Sequence, residues 1–242
     1  SNYKHICMKR KPLIIIPAYK EAENIERLVN NIIQNYPRYD YIIINDGSRD
    51  ATRSICQKNH YSFIDLPLNL GIGGAVQTGY KYAEREGYEI AIQIDGDGQH
   101  DVSYLDKVIS PLLENKADVT IGSRFIEKEG FQSSSMRRFG IWFLSRLIYW
   151  CTGKKILDVT SGYRAINRKF IEIYAENYPS DYPEPEAIVA AVMHKGRIEE
   201  VPVAMKERQA GSSSIHAWKS VYYMLKVTLA ILICRISFGI RR

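Results

Sequence analysis

The stretch IAIQIDGDGQHD, Ile90 to Asp101, sets two carboxylates one residue apart directly after a run of strand-forming residues. Alternate side chains of an extended chain share a face, so Asp95 and Asp97 can converge on one cation. Carboxylates that close repel unless a proton or cation compensates them, and a divalent ion that prefers hard oxygen ligands does so directly. Gln99 offers a further oxygen, Gly96 keeps space for something bulky, and His100 is a neighbour that a magnesium site does not need. Magnesium or manganese held there would keep open positions for a diphosphate and stabilise its charge as it leaves. A solvated polar turn is the competing reading, and the elements around the pair must decide.

Those elements alternate. PLIII (Pro12 to Ile16) is a continuous apolar run, as in a parallel strand covered on both faces, and Ile25, Leu28, Val29, Ile32 and Ile33 follow at helical spacing. Strand patterns at 41–45, 62–66, 90–94 and 118–122 alternate with helical patterns near 52–59, 74–85 and 104–114. Such alternation predicts an α/β domain with a mostly parallel sheet and helices on both faces. Ligands of such sheets bind outside the carboxyl ends of the strands, where the polar loops of this sequence fall.

In PAYKEAEN, after the first strand, Pro17 and Ala18 stop the strand while Tyr19 can stack on a ligand and Glu21 can accept a hydrogen bond. In NDGSRD, after the second, Asp46 and Gly47 form a tight turn, and Ser48 or Asp50 can cap the next helix. An aspartate at that strand end can also accept an N–H of a uracil or guanine base. NLGIGGAVQTG, containing Gly71, resembles a dinucleotide phosphate loop, but it follows the third strand and lacks an acidic ribose partner, which argues against a nicotinamide cofactor. Its glycines let backbone pass close to a nucleotide or a neighbouring strand.

PAYKE, NDGS, NLGIGGA, DGDGQH, GSRF and DVTSGYR, in this order and spacing, resemble the GT-A glycosyltransferases of family two. More narrowly they resemble the polyprenyl-phosphate sugar transferases of the dolichyl- and undecaprenyl-phosphate type. The resemblance covers about Pro12 to Ser214 and implies a GT-A, Rossmann-like fold. It also implies nucleotide-sugar contacts at Pro17, Ala18, Tyr19, Glu21, Asp46, Gly71 and Gly96, with diphosphate and metal at Asp95, Asp97 and Gln99. Asn45 departs from the family pattern, in which a second aspartate is frequent.

The acceptor is a separate question. A sugar hydroxyl needs a positioned general base, whereas a polyprenyl monophosphate is already largely anionic at pH 7 and needs cations instead. Arg124, Arg137, Arg138, Arg164 and Arg208 lie in segments that the resemblance places around the site, and arginine grips phosphate bidentately. Arg124 and Arg208 are the stronger candidates; Arg164 can instead form a structural ion pair with Asp158. Where relatives often carry a lysine, this chain has Ser213 and Ser214. Glu184 and Glu186 open a predicted helix ending near His194, where acids are favourable, and Glu186 is the candidate base if the acceptor is a saccharide.

The chain of 242 residues carries a net charge of +6, with seven Lys or Arg and one acid between Lys206 and Arg242. A basic surface favours phosphates or anionic membrane; nucleic acid fits poorly because the basic residues cluster with apolar helices. Arg137 to Trp150 interleaves arginines with Trp142, Phe143, Tyr149 and Trp150, as an interfacial helix would. The apolar run Val227 to Cys234 is too short to cross a bilayer; it can lie on the membrane, dock beside a membrane-protein partner or complete the core. The division expected is a glycosyltransferase domain over 9–214 and a C-terminal amphipathic helix over 215–242. Four scattered cysteines indicate neither zinc nor disulfides, and KRKPLIIIPAY is too short for a signal peptide. The expectation is an inverting, metal-dependent hexosyltransferase, peripheral on the cytoplasmic face of the cell membrane, using a nucleoside diphosphate sugar, UDP-linked in preference. The rivals are transfer to a saccharide hydroxyl and a catalytically silent nucleotide-sugar-binding or scaffold protein.

Overall fold

The computed structural model describes residues 10–127, 135–180, 183–206 and 217–240. Its seven strands are β1 Leu13–Ala18, β2 Asp40–Asn45, β3 Phe63–Asp65, β4 Ile90–Gln93, β5 Val119–Ser123, β6 Arg164–Asn167 and β7 Ile198–Pro202. They form one sheet of order β3-β2-β1-β4-β6-β5-β7. The helices are α1 Ile25–Asn35, α2 Thr52–Lys58, α3 Gly71–Arg85, α4 Leu105–Leu113, α5 Ser135–Thr152, α6 Arg168–Glu176, α7 Pro183–Met193 and α8 Ala217–Ile240.

The continuous apolar run of β1 is buried at every position because both sheet faces are covered. Ile14, Ile16, Ile43 and Ile92 face α1 and α4, while Leu13, Ile15, Ile44 and Ala91 face α3 and α6. Full burial of each such side chain is worth about 1.5–3 kcal/mol. Helix α3 lies so close to the sheet that a Cβ on Gly79 would sit 2.3 Å from Ile15 Cγ2. That contact explains one glycine of the NLGIGGA segment, and Gly73, backed against the carbonyls of Pro179 and Ser180, explains another. The phosphate-loop likeness is therefore a packing feature, and α3 starts at Gly71 rather than Gly74.

Strand β6 runs antiparallel between β4 and β5, with Arg164 opposite both Gln93 and Ile121. The parallel reading of the sheet thus has one reversal. Its consequence is that the segment entering β6, Ser161 to Arg164, crosses the same edge at which β1, β2, β4 and β5 end. A third cluster joins Ile141, Leu144 and Ile148 of α5, Ile188 and Val189 of α7, and Val227 and Ile231 of α8. The C-terminal helix therefore packs into the core along one side. Its other side exposes Leu225, Leu229, Leu232, Ile233 and Ile236, as α5 exposes Phe139, Trp142 and Trp150. Among the described residues no helix is long and apolar enough to cross a membrane.

Candidate active site

The loops after β1 and β2 are tied to each other by short polar side chains. Lys20 N donates to Ser48 Oγ at 3.0 Å, Glu21 N to Thr52 Oγ1 at 3.1 Å and Ala22 N to Asp50 Oδ2 at 3.3 Å. Asp50 also accepts from Thr52 N and Thr52 Oγ1, but the N-cap position of α2 falls to Ala51, which has no side-chain cap, and Ser48 holds the first loop instead. Buried Asp46 accepts from Leu70 N at 2.6 Å, clamping the turn before α3 to the end of β2. Its pKa is raised by burial, against which the Leu70 and Gly71 amides act. Gly47 and Gly71 hold positive φ of 64° and 77°, and a side chain on Gly47 would meet Asn69 N at 2.7 Å. These turns need glycine for their geometry alone. Tyr19 is half-exposed at the rim, with the Lys20 ammonium 5.2 Å from its ring centre.

The DGDGQH loop docks on this platform through Gly96. A Cβ there would lie 2.9 Å from Pro17 O and 3.5 Å from Ala18 Cβ, so the space beside Gly96 is filled by the chain itself rather than kept for a ligand. Asp97 Oδ1 accepts from Gln99 N at 3.0 Å, and Gly98 takes φ 76° to close the turn. Asp95 N donates to His100 Nδ1 at 2.9 Å, and His100 Nε2 stands 3.6 Å from Asp95 Oδ2. His100 is buried and stacked on Tyr163 with ring centres 5.0 Å apart. Burial pushes its pKa down to about 4, opposed by Asp97 and reinforced by Arg124, so the imidazole is neutral, and its Nδ1 holds the Asp95 backbone. Its role escaped the sequence reading, which set it aside as an unneeded neighbour. Gly162 brings the β6 entry against the same carboxylate: a Cβ there would sit 3.2 and 3.3 Å from the two Asp95 oxygens.

The ion pair with Asp158 that the sequence offers to Arg164 is made by Arg124. Arg164 does not pair with Asp158; it donates to the carbonyls of Ser161 and Val159. Arg124, buried at the end of β5, makes the pair instead, through Nε and Nη2 at 2.7 Å each, and its backbone N–H adds a third bond to Asp158. Behind them the Glu200 carboxylate accepts from Leu157 N and Asp158 N, and burial raises its pKa. The buried Arg124 guanidinium is thus matched to a fully buried anion. Lys206 N donates to Gln99 O, and Lys206 Nζ lies 3.2 Å from Asp101, which ties the chain after β7 to the acidic loop. Arg208, Ser213 and Ser214 lie outside the described residues, as does the side chain of Arg137. Glu186 lies in the first turn of α7 and lines a cavity of about 370 Å³ with Lys226, Leu229, Ala230, Ile233 and Cys234 of α8. None of the loop residues around Asp95 lines that cavity.

Residues 13–174 match the family model described as Glycosyl transferase family 2. The chain belongs to glycosyl transferase family 2. Among relatives of this glycosyltransferase is the UDP-N-acetylglucosamine--dolichyl-phosphate N-acetylglucosaminyltransferase of Methanococcus voltae, 31% identical over 78% of this chain and 83% of that protein. Another is the polyprenol monophosphomannose synthase of Mycolicibacterium smegmatis, 25% identical over 90% of this chain and 86% of that one. Glucosyl-3-phosphoglycerate synthase of Mycobacterium tuberculosis, solved with Mn2+, UDP and glucosyl-3-phosphoglycerate, superposes with a TM-score of 0.68 at 18% identity, over 94% of this chain and 80% of that one. That likeness establishes the GT-A fold.

Carboxylate oxygens are the donor chemistry that a hard divalent cation takes. Asp95 and Asp97 are carboxylates on one short loop, and among the described residues there is no group of three or more His, Cys, Asp or Glu that could hold a metal. Magnesium sites of this kind use one or two carboxylates and complete the shell with substrate phosphates and water.

Proposed function

We propose that this glycosyltransferase moves a hexose-type sugar from a nucleoside diphosphate donor, UDP-linked in preference, to a polyprenyl phosphate at the cytoplasmic membrane face, with inversion. The observation that carries the reading is the similarity to the Methanococcus voltae dolichyl-phosphate enzyme, which runs through most of both chains. The exposed aromatic and aliphatic side chains of α5 and α8 support it, because the acceptor's phosphate emerges at a membrane surface.

In this reading Asp95 and Asp97 would hold the cation, with Gln99 beside them, and a cation held there would supply charge stabilisation for a departing diphosphate. The platform of Pro17, Ala18, Tyr19, Glu21 and Asp46 receives the nucleotide, and Gly71 and Gly96 set the backbone around it. His100 holds the Asp95 backbone, and Gly162 stands against its carboxylate. A phosphate oxygen of the acceptor, anionic without help from a base, attacks the anomeric carbon opposite the leaving group. Arg208 supplies positive charge between the two phosphates. Arg124, held by Asp158, acts at one remove by adding positive field and fixing the loop after β5. Glu186 belongs to the α7–α8 face and not to proton transfer, so Glu186→Gln should cost little.

The test is a screen of nucleotide sugars against undecaprenyl phosphate, with and without chelator. Chelator-sensitive sugar transfer to the lipid phosphate is the expected result. Transfer only to saccharide hydroxyls, lost in Glu186→Gln, would overturn the acceptor assignment.

A further inference from the structure

Among the described residues, buried side-chain polar atoms without a hydrogen-bond partner occur in three residues: Asn45, Gln93 and Ser123. Each is the last residue of its strand, β2, β4 and β5, so all three lie along the ligand-binding edge of the sheet. Gln93 stands apart from the other two. Asn45 donates through Nδ2 to Asp65, but Gln93 is fully buried with both its amide nitrogen and its amide oxygen unpartnered. A buried amide left so is costly, and an apolar side chain of the same shape would be as stable or better. Its retention calls for a partner in another state of the site.

The geometry says which partner. Gln93 and Asp95 are two residues apart at the end of β4, and two-residue spacing along a strand puts side chains on one face. The point where a Cβ on Gly162 would sit is 3.4 Å from Gln93 Nε2 and 3.2 Å from Asp95 Oδ1, so amide and carboxylate flank the same glycine. Arg164 lies directly opposite Gln93 in the register, with its guanidinium on the carbonyls of Ser161 and Val159.

We infer that Gln93 is a positioning residue for Asp95: its amide N–H turns to the carboxylate when a divalent cation and diphosphate bind, and orients the carboxylate toward the cation. The inference rests on the proposed role of Asp95 as a metal carboxylate. Partners of this kind, which hold a ligand without touching the metal, change metal affinity by about 10–100-fold when removed.

The test uses the full chain, with UDP and Mn2+ as probes. Calorimetry gives the Mn2+ concentration that half-saturates UDP binding, and thermal unfolding is followed in parallel. Gln93→Met, close in shape and without the amide, should raise that concentration about tenfold while leaving the melting temperature unchanged or higher; Gln93→Leu should do the same. A purely structural glutamine would give the reverse pattern, a lower melting temperature with unchanged Mn2+ affinity, and would overturn the inference. So would no change in either. Asp95→Asn separates the two levels: if it and the unaltered chain bind UDP alike with and without Mn2+, the reading of the metal site fails and this inference with it. If Asp95→Asn removes the Mn2+ effect and Gln93→Met does not weaken it, only the role of Gln93 is lost.

Discussion

Between β1 and α3 the loops at the ligand edge are bonded to one another before any ligand arrives: Lys20 to Ser48, Glu21 to Thr52, Ala22 to Asp50, Leu70 to Asp46. Beyond β5 the construction changes. There a buried pair, Arg124 with Asp158, anchors the edge from beneath, while α5 and α8 turn Trp142, Trp150, Leu229 and Ile236 outward. A donor with fixed charge and shape suits a preorganised, polar platform, where groups lose little entropy on binding. A long, flexible lipid suits an apolar surface that holds it loosely near the site. On the proposed function, this difference follows the chemistry of the two substrates.

The sharpest way to break this comparison is at the junction of the two halves, the acidic loop. Asp97→Ala removes a half-buried side chain that accepts a hydrogen bond from the Gln99 amide, so the fold should survive. Transfer should fall by about a thousandfold or more, since stabilising a diphosphate's developing charge is worth several kcal/mol and each factor of ten in rate is about 1.4 kcal/mol. Initial rates with and without added Mn2+ check it; unchanged turnover would refute the metal role.

Next in size is the anchor beyond β5. Asp158 is fully buried and accepts three bonds from Arg124, so Asp158→Ala leaves a buried cation uncompensated. The expected loss is about 3 kcal/mol of stability by denaturant unfolding, with Arg124→Met,Asp158→Leu restoring part of it. If the single variant lost activity but no stability, Arg124 would be a direct phosphate contact after all. A smaller effect belongs to the far end of β5, away from the ligand edge. Asp118 accepts from the Arg197 guanidinium and backbone and from Asn167, and the Arg197 bonds hold its pKa down to about 2. The unfolded chain therefore takes up this proton first on acidification. The stability it contributes is complete above about pH 5 and is lost as pH falls toward 2, by about 1 kcal/mol once solvent screening is allowed for. Asp118→Asn should flatten that part of the stability profile.

The preorganised half was the more legible in the sequence, for a physical reason. PAYKE, NDGS and DGDGQH act through neighbours a few residues apart, and local spacing is what a sequence displays. Asp95 and Asp97 stand out in the sequence as two carboxylates one residue apart, although β4 ends at Gln93 and Gly96 and Asp97 lie in a turn rather than in an extended strand. The other half depends on distant partners. Nothing local distinguishes Arg124 from Arg164, and Asp158 chooses between them only once β6 inserts antiparallel between β4 and β5. That insertion was itself hidden, since RAIN is four residues long and lies directly before a helix. Gln93 and His100 were visible as letters, but their roles come from burial against Gly162 and Tyr163, which are about seventy and sixty residues away in the chain. The space assigned to a ligand beside Gly96 went to Pro17 and Ala18 for the same reason.

The smallest predicted effect sharpens the account of the apolar half. Arg146 lies on α5 with its guanidinium 5.9 Å from the centre of the Trp142 ring, so charge and aromatic surface are presented together. At an anionic bilayer one such cation near the surface is worth about 1 kcal/mol. Arg146→Gln should therefore weaken binding to vesicles of mixed anionic and neutral lipid about fivefold at low salt, and the difference should shrink as the Debye length shortens. Trp150, 88% exposed, can be replaced by serine without a stability cost and should weaken binding to neutral vesicles as well, because its contribution is burial rather than charge. If vesicle binding in both variants matched the unaltered chain while transfer to a short, water-soluble polyprenyl phosphate also stayed intact, the outward face of α5 would have no part in meeting the lipid, and the contrast between the two halves would reduce to a difference in packing.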